Sequence, residues 1–538
     1  AWKNTLFNQF HDIIPGSGVI DTREYALGLF QDTMAIASSQ KRRAFNALTG
    51  DTDQIQADPA TADPQAISEG AGVGFGVEEF RLSQVSRAGG LRRLFHIFNP
   101  TPRPRQEVVE LVVWDWQGDL QRLVVDDENG EALPFQIVDQ GWNNYWGHKY
   151  LRVLVQAAVP ACGYGSVVLY EADTILDSKV YPLDMRTEDP PALQLENEHL
   201  IATFDTQSCA LISLLDKSSG AELVDPHKPA VFRRIQEDVQ EMTAWVVGRY
   251  KTVQSLTEDV RLLKQDTCGP LRGSFTYEVC SGASKLTVTV SLRAGSHRLE
   301  FDAQAEWLEI GRKGEGVPQL NFSLPLAQPV QAYRYDIPFG IVERPAMALD
   351  VPGNSWGAAL SEPAAPVLQI ISEGSYGFRG DQNSLSLTLI RSSFDPDPHP
   401  ELGIHKIRFA LAVLSGASGQ DLIASAAHYC QPLDVVSAAG QQAARWGFLT
   451  QESGTATLAA IKVPEDGQER TLVIRLYETE SQPVQTILCF AIAPVQAEWV
   501  DVHEQAIADL SPPQIQDDRL TFTLPSYRFA TLRVKFAS

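Results

Sequence analysis

At 538 residues the chain exceeds what one hydrophobic core fills, so three or four domains are expected. Its 67 acidic against 44 basic residues give a formal net charge of −23, the reverse of the Lys- and Arg-rich balance that phosphate contacts need, which argues against nucleic acid and anionic membranes as partners. No stretch approaches the roughly 18 continuous apolar residues of a membrane span. The six cysteines (Cys162, Cys209, Cys268, Cys280, Cys430, Cys489) contain no CxxC pair, against a disulfide scaffold or cysteine zinc site and in favour of a reducing compartment.

The chain opens on Ala1 and runs straight into a helical pattern, without the charged leader or cleavage site of a signal peptide. It therefore reads as a piece of something longer. Trp2, Leu6, Phe10 and Ile13 recur at helical spacing over residues 2–14 and share one face, with Asn8 and Asp12 pointing away and His11 at its edge. "PGSG" (15–18) ends that helix, and Asp21 with Glu24 resembles a capping box opening a second helix over about 22–48. "GDTDQIQADPATADPQAI" (50–67) has no period and reads as a linker.

Beyond about residue 90 the texture changes. "EVVELVVW", "YLRVLVQAAV", "KLTVTVSL", "SLSLTLIR" and "RTLVIRLY" are β-branched, often alternating, and bounded by turn residues, as in antiparallel sandwiches. "GQDLIASAAHYCQPL" (419–433) is the clearest later helix. The expected order is a helical segment at 1–50, a linker at 51–87, a small β-sandwich at 88–188, a large β super-sandwich at 189–432 and a C-terminal β-sandwich at 433–538.

Three groups could carry chemistry. His11-Asp12 is either a helix-end histidine beside a solvated aspartate, or a metal ligand beside a carboxylate where a pocket forms. Adjacent helical residues diverge by about 100°, so the pair alone cannot close a zinc site, which needs three or four ligands. "FDPDPHPELGIH" (394–405) gathers Asp395, Asp397, His399, Glu401 and His405. Its three prolines and missing central glycine do not fit a calcium loop and favour a solvated hairpin loop. "GWNNYWGHKY" (141–150) concentrates Trp142, Tyr145, Trp146 and Tyr150, a strand-side aromatic cluster that packs or stacks on sugars. No GxSxG, P-loop or GxGxxG signature appears.

"AWKNTLFNQFHDIIPGSGV" resembles the "LLLNQFHDILPGSS" segment of α-mannosidases of glycoside hydrolase family 38. "FHIFNPTPRPRQEVVEL" (95–111), "LENEHLIATFDTQSCALISLLDKSSGAELVD" (195–225), "YDIPFGIVERP" (335–345) and "LTLIRSSFDPDPHPELGIHKIRFAL" (387–411) resemble further segments of that family, in its order. Near the C-terminus the family's usual "LKPFEIKTLRL" reads "LPSYRFATLRV". The resemblance implies a mainly β chain, with the end of a helical bundle domain followed by β-sandwich domains that include a galactose-mutarotase-like super-sandwich. It implies a retaining, zinc-dependent exo-α-mannosidase acting on terminal α-linked mannose of oligosaccharides or glycans.

Through the resemblance His11 is a zinc ligand and Asp12 a sugar-hydroxyl acceptor. The other zinc ligands and the nucleophilic aspartate are implied in an N-terminal α/β catalytic domain, so no catalytic residue is expected in this chain and the fragment alone is expected to be inactive. The partners expected are a mannose-containing oligosaccharide and that α/β domain, with a homo-oligomer left open. The rival readings are a non-catalytic carbohydrate-binding β protein and a subunit that complements a separate catalytic chain. A bacterial cytoplasm is the expected location. The sequon at Asn321-Phe322-Ser323 is too weak to suggest secretion.

Overall fold

The computed structural model describes all residues except 50–66, 69–86, 89–90, 144–147, 175–192, 267–268, 363–364, 417, 439–442, 509 and 538. The chain is mainly β, with two N-terminal helices, α1 (Trp2–Asn8) and α2 (Ile20–Thr49), and a third, α3 (Gly419–Cys430). The linker expected at 51–87 lies almost wholly outside the described residues.

Two N-terminal expectations change. The first helix stops at Asn8, and residues 9–16 form successive short turns. Pro15 disfavours a helical conformation at Ile14, and Gly16 takes a left-handed φ of +74°, so the turns do not resume as a helix before Ile20. Asp21 lies inside the first turn of α2 rather than capping it. The apolar stripe also stays open: Trp2 is 80% exposed and Leu6 62%.

The first sandwich pairs Arg92–Asn99 with Gly163–Glu171, and Gly163–Glu171 with Leu123–Asp127. Facing it is a three-stranded sheet of Arg105–Trp114, His148–Val159 and Phe135–Asn143. Phe95, Ile97, Leu111, Val125, Val153 and Leu169 meet between them. The strand Asp434–Ala438 returns from far along the chain to pair with Arg92–Asn99, and Trp446–Gly447 pairs with Gly163–Glu171.

The super-sandwich sets a six-stranded sheet against a nine-stranded one, with a four-stranded sheet (Leu193–Glu196 through Ala221–Glu222) completing the same core. Alternation explains the inner faces. In Ser284–Arg293, Leu286, Val288, Val290 and Leu292 are buried while Lys285 and Thr287 are not. Phe301 and Phe409 stack at 4.8 Å in that core, and the buried Trp307 indole donates to Ser392 Oγ at 2.7 Å. The C-terminal sandwich packs two four-stranded sheets around Ile474, Leu488, Trp499 and Leu532.

α3 starts where Ser418 accepts the Asp421 amide and lies on the nine-stranded sheet through Leu422, Ala426 and Tyr429. Asn321 of the sequon is buried, its Oδ1 accepting from Arg233 at 2.7 Å, so a glycan there would require the strand Val317–Pro325 to open.

Candidate functional site

His11 and Asp12 sit on the turn between α1 and α2. The His11 side chain is 69% exposed, and its Nε2 lies 3.6 Å from Asp12 Oδ2. Phe10 packs beside the imidazole, with ring centroids 4.2 Å apart. The turn is fixed from behind. Ser17, itself buried, donates to Asp12 Oδ1 at 3.5 Å. A Cβ on Gly18 would lie 3.1 Å from the Asp12 carbonyl and 3.3 Å from Thr22, so a larger residue would require the turn or Thr22 to give by a few tenths of an ångström.

The two helices hold each other through polar ties and one ring contact. Asn4 donates to Asp32 at 2.7 Å, Asn8 donates to the Ala26 carbonyl at 2.8 Å, and Phe7 meets Tyr25 edge-to-face. Near the turn their apolar residues are largely open, with Phe7, Phe10, Ile14, Tyr25, Leu27, Phe30 and Met34 all exposed, while Ala26 is buried and Phe45, farther along α2, stacks on Phe98 at 3.8 Å. Soluble monomers rarely leave so continuous an apolar face in water.

The loop at 394–405 corrects its expected reading. It connects Ser384–Arg391 of the six-stranded sheet with Gly403–Leu414 of the nine-stranded one, so it is a crossover between sheets rather than a hairpin loop. It is not simply solvated either, because Asp397 is buried and accepts from Arg23 Nε at 2.7 Å. His399 N–H donates to the same carboxylate, and the His405 Nε2 lies 2.7 Å from the Glu401 carbonyl oxygen. Partial burial raises the Glu401 carboxyl above the usual range, with Asp397 adding to the effect and His405 and Arg23 opposing it. Among the described residues no group of three His, Cys, Asp or Glu side chains could hold a metal.

Behind this loop lies a buried polar network that sequence reasoning missed. Arg391 makes a bidentate pair with the fully buried Glu237 (2.9 and 3.0 Å) and donates to the Thr243 carbonyl at 2.6 Å. Thr243 Oγ1 accepts the amides of Phe394 and Asp395. A continuous chain therefore runs from the six-stranded sheet through Arg391, Thr243 and the 394–397 backbone to Arg23. No local motif marks it, because Glu237 and Arg391 are brought together by pairing with the same strand, Val317–Pro325, and Thr243 by the turn that follows Glu237.

Trp142 is 52% exposed, with the Lys149 ammonium 5.8 Å from its ring. Tyr145 and Trp146 lie outside the described residues, while Tyr150 packs edge-to-face on the buried Trp114 at 6.0 Å.

His11 offers a nitrogen and Asp12 oxygens, a donor set suited to zinc, and the exposed imidazole is accessible to it. The pair fits part of such a site and cannot complete it.

Residues 195–399 match the glycosyl hydrolases family 38 C-terminal domain. The chain is 27% identical over 371 residues to alpha-mannosidase 2C1 of Mus musculus, covering 65% of this chain and 34% of that protein. Against the Homo sapiens alpha-mannosidase 2C1 the figures are 26% over 397 residues, 70% and 37%. A solved family 38 protein from Enterococcus faecalis superposes with a TM-score of 0.73 at 16% identity, covering 99% of this chain and 65% of that one. These likenesses relate the β-rich region, with the helix pair at its N-terminal side, to glycosyl hydrolases. Residues 195–399 thus carry the family 38 C-terminal domain, and the chain is similar to a C-terminal portion of α-mannosidases. It spans about a third of the length of the curated relatives it matches.

Proposed function

We propose that the chain is part of a retaining, zinc-dependent exo-α-mannosidase that removes terminal α-linked mannose from oligosaccharides or glycans. The observation that carries this reading is an exposed His11-Asp12 pair on a braced turn, flanked by helices whose apolar residues near it are largely uncovered. In this reading an α/β domain covers those residues and supplies the remaining zinc ligands and the nucleophile. A bound zinc ion supplies a Lewis acid that polarises sugar hydroxyls.

The chain's own contribution is positional. His11 would present its imidazole nitrogen to the metal, and Asp12 would accept a hydrogen bond from a sugar hydroxyl. The 394–405 loop holds the turn at a fixed height through Arg23. Retention needs two carboxyl groups about 5–5.5 Å apart around the anomeric carbon. This reading takes neither of them from the present chain, which leaves the isolated fragment inactive. The five described cysteines are free, which supports a cytoplasmic setting.

The test is hydrolysis of a chromogenic α-mannoside with added zinc, by the 538-residue chain alone and by the chain mixed with an α/β segment of a family 38 relative. Activity is expected only in the mixture, and only with His11 intact. Turnover by the fragment alone that survives His11→Ala would sink the assignment.

A further inference from the structure

We propose that the cleft between the first sandwich, the super-sandwich and α3 is a second carbohydrate site, which takes a neutral oligosaccharide. The cleft encloses about 450 Å³, within the about 300–1,000 Å³ range of small-molecule sites, and lies where such sites concentrate, at a junction between domains. None of its lining residues belongs to α1, α2 or the turn between them. The assignment is thus independent of the role given to His11.

Its chemistry is that of alternating donors and acceptors. Arg105 is spent structurally: it grips Glu107 with two nitrogens and donates to the carbonyls of His428 and Gln431. Arg298 is not spent in this way. Its Nη2 comes no nearer than 3.9 Å to Glu107, and its buried Nε has no partner among the described residues. The Nε is closed off from the cleft, so the donor capacity left for a ligand oxygen lies at the Nη atoms, which the 3.9 Å approach to Glu107 does not use as a hydrogen bond. Ser425 and Ser296 add hydroxyls to the lining.

His297 lines the same cleft and stacks on His199 with ring centroids 3.8 Å apart, which fixes the plane of the imidazole.

Charge decides between sugar and anion. The lining carries Arg105, Arg293 and Arg298 against Glu107, Asp216 and Asp421, so the formal charges cancel. Burial, with the neighbouring arginines, pushes the His428 imidazole down to about 4, and burial with His199 lowers that of His297. Neither adds positive charge near neutral pH. An anion would find no net attraction, whereas a polyol can use guanidinium and carboxylate together.

The test uses the 538-residue chain in buffer with a chelator, titrated calorimetrically with mannotriose, maltotriose and cellotriose, and with sodium sulfate as competitor. At least one trisaccharide is expected to bind, and Arg298→Ala and the cleft-filling Ser425→Trp should each weaken it at least tenfold. Hydrogen exchange on the unsubstituted chain, which needs no variant to fold, should show protection at 293–298 and 418–428. The proposal is overturned if none of the three sugars binds, or if sulfate displaces the sugar. Protection at 9–18 instead, lost in His11→Ala, would also overturn it while supporting the mannosidase reading.

Discussion

Arg23 of α2 and Asp397 of the sheet crossover form an ion pair at 2.7 Å across 374 residues of sequence, with the carboxylate side chain only 3% exposed. The turn bearing His11 is therefore registered against the super-sandwich by a side chain twelve residues downstream. Replacing Arg23 by alanine leaves a buried carboxylate short of its cation. The expected cost is about 1–3 kcal/mol, felt locally at α2. Hydrogen exchange should show residues 20–32 losing protection while the sandwich cores keep theirs, and a uniform change across the chain would contradict this.

The Glu237–Arg391 pair offers a sharper test, since both side chains are deeply placed, at 0% and 16% exposed. Removing one partner strands the other charge, so Glu237→Leu and Arg391→Leu should each cost about 3–5 kcal/mol. Replacing both with apolar residues should cost clearly less than the sum of the two. A double-mutant cycle on urea midpoints measures the difference.

Arg105 joins two domains. Its side chain is fully buried, and two of its bonds end on the last carbonyls of α3 and the residue after it. These carbonyls have no partner within the helix, so Arg105 acts as a C-terminal cap supplied from another domain. Arg105→Met should lower stability by about 3–5 kcal/mol and should fray α3 from Ala427 onward. Proteolysis that begins at 428–433 in the variant alone would report this.

His428 makes stability depend on pH. Its folded-state value of about 4, set mainly by burial and then by Arg105, lies below the usual 6.5. Between these values the unfolded chain binds a proton that the folded chain refuses. Stability is thus complete above about pH 6.5 and declines as pH falls toward 4, by up to about 3 kcal/mol. His428→Gln should flatten that part of the profile measured by urea unfolding from pH 4 to 7.5. An unchanged slope would mean the imidazole titrates normally.

Gly380 tests the packing of the super-sandwich. A methyl group there would lie 2.3 Å from Cγ of Tyr333, whose side chain is fully buried. The ring cannot retreat, because its hydroxyl is tied to the Gln382 carbonyl at 2.6 Å. Gly380→Ala should cost about 1–3 kcal/mol or more, visible as a lower urea midpoint.

The sandwiches are legible in the sequence because their signal is local. "KLTVTVSL" alternates along one strand, and that strand runs Ser284–Arg293 with the alternation intact. α3 is equally readable, since its apolar period and its Ser418 cap lie within a dozen residues. What was not legible depends on distance. Nothing near Asp397 announces Arg23, and nothing near Glu237 announces Arg391. The stripe of Trp2, Leu6 and Phe10 was read correctly as apolar, but a stripe cannot say what covers it. The stop of α1 at Asn8 has no local signal, since Pro15 restricts the backbone only from about residue 11 onward.

The strand Asp434–Ala438 completes the first sandwich only after the whole super-sandwich has been threaded between it and Gly163–Glu171. The ribosome therefore releases a half-built sheet whose edge, at Arg92–Asn99, stands open while some 260 further residues emerge. At about 5–20 residues per second that interval is on the order of 13–50 s, long enough for an exposed strand edge to find wrong partners. The first sandwich begins synthesis before the super-sandwich but cannot finish folding before it, so the super-sandwich must mature as a guest inside an unfinished host. In a chain circularly permuted so that 434–447 precede residue 92, that edge would not stand open during synthesis.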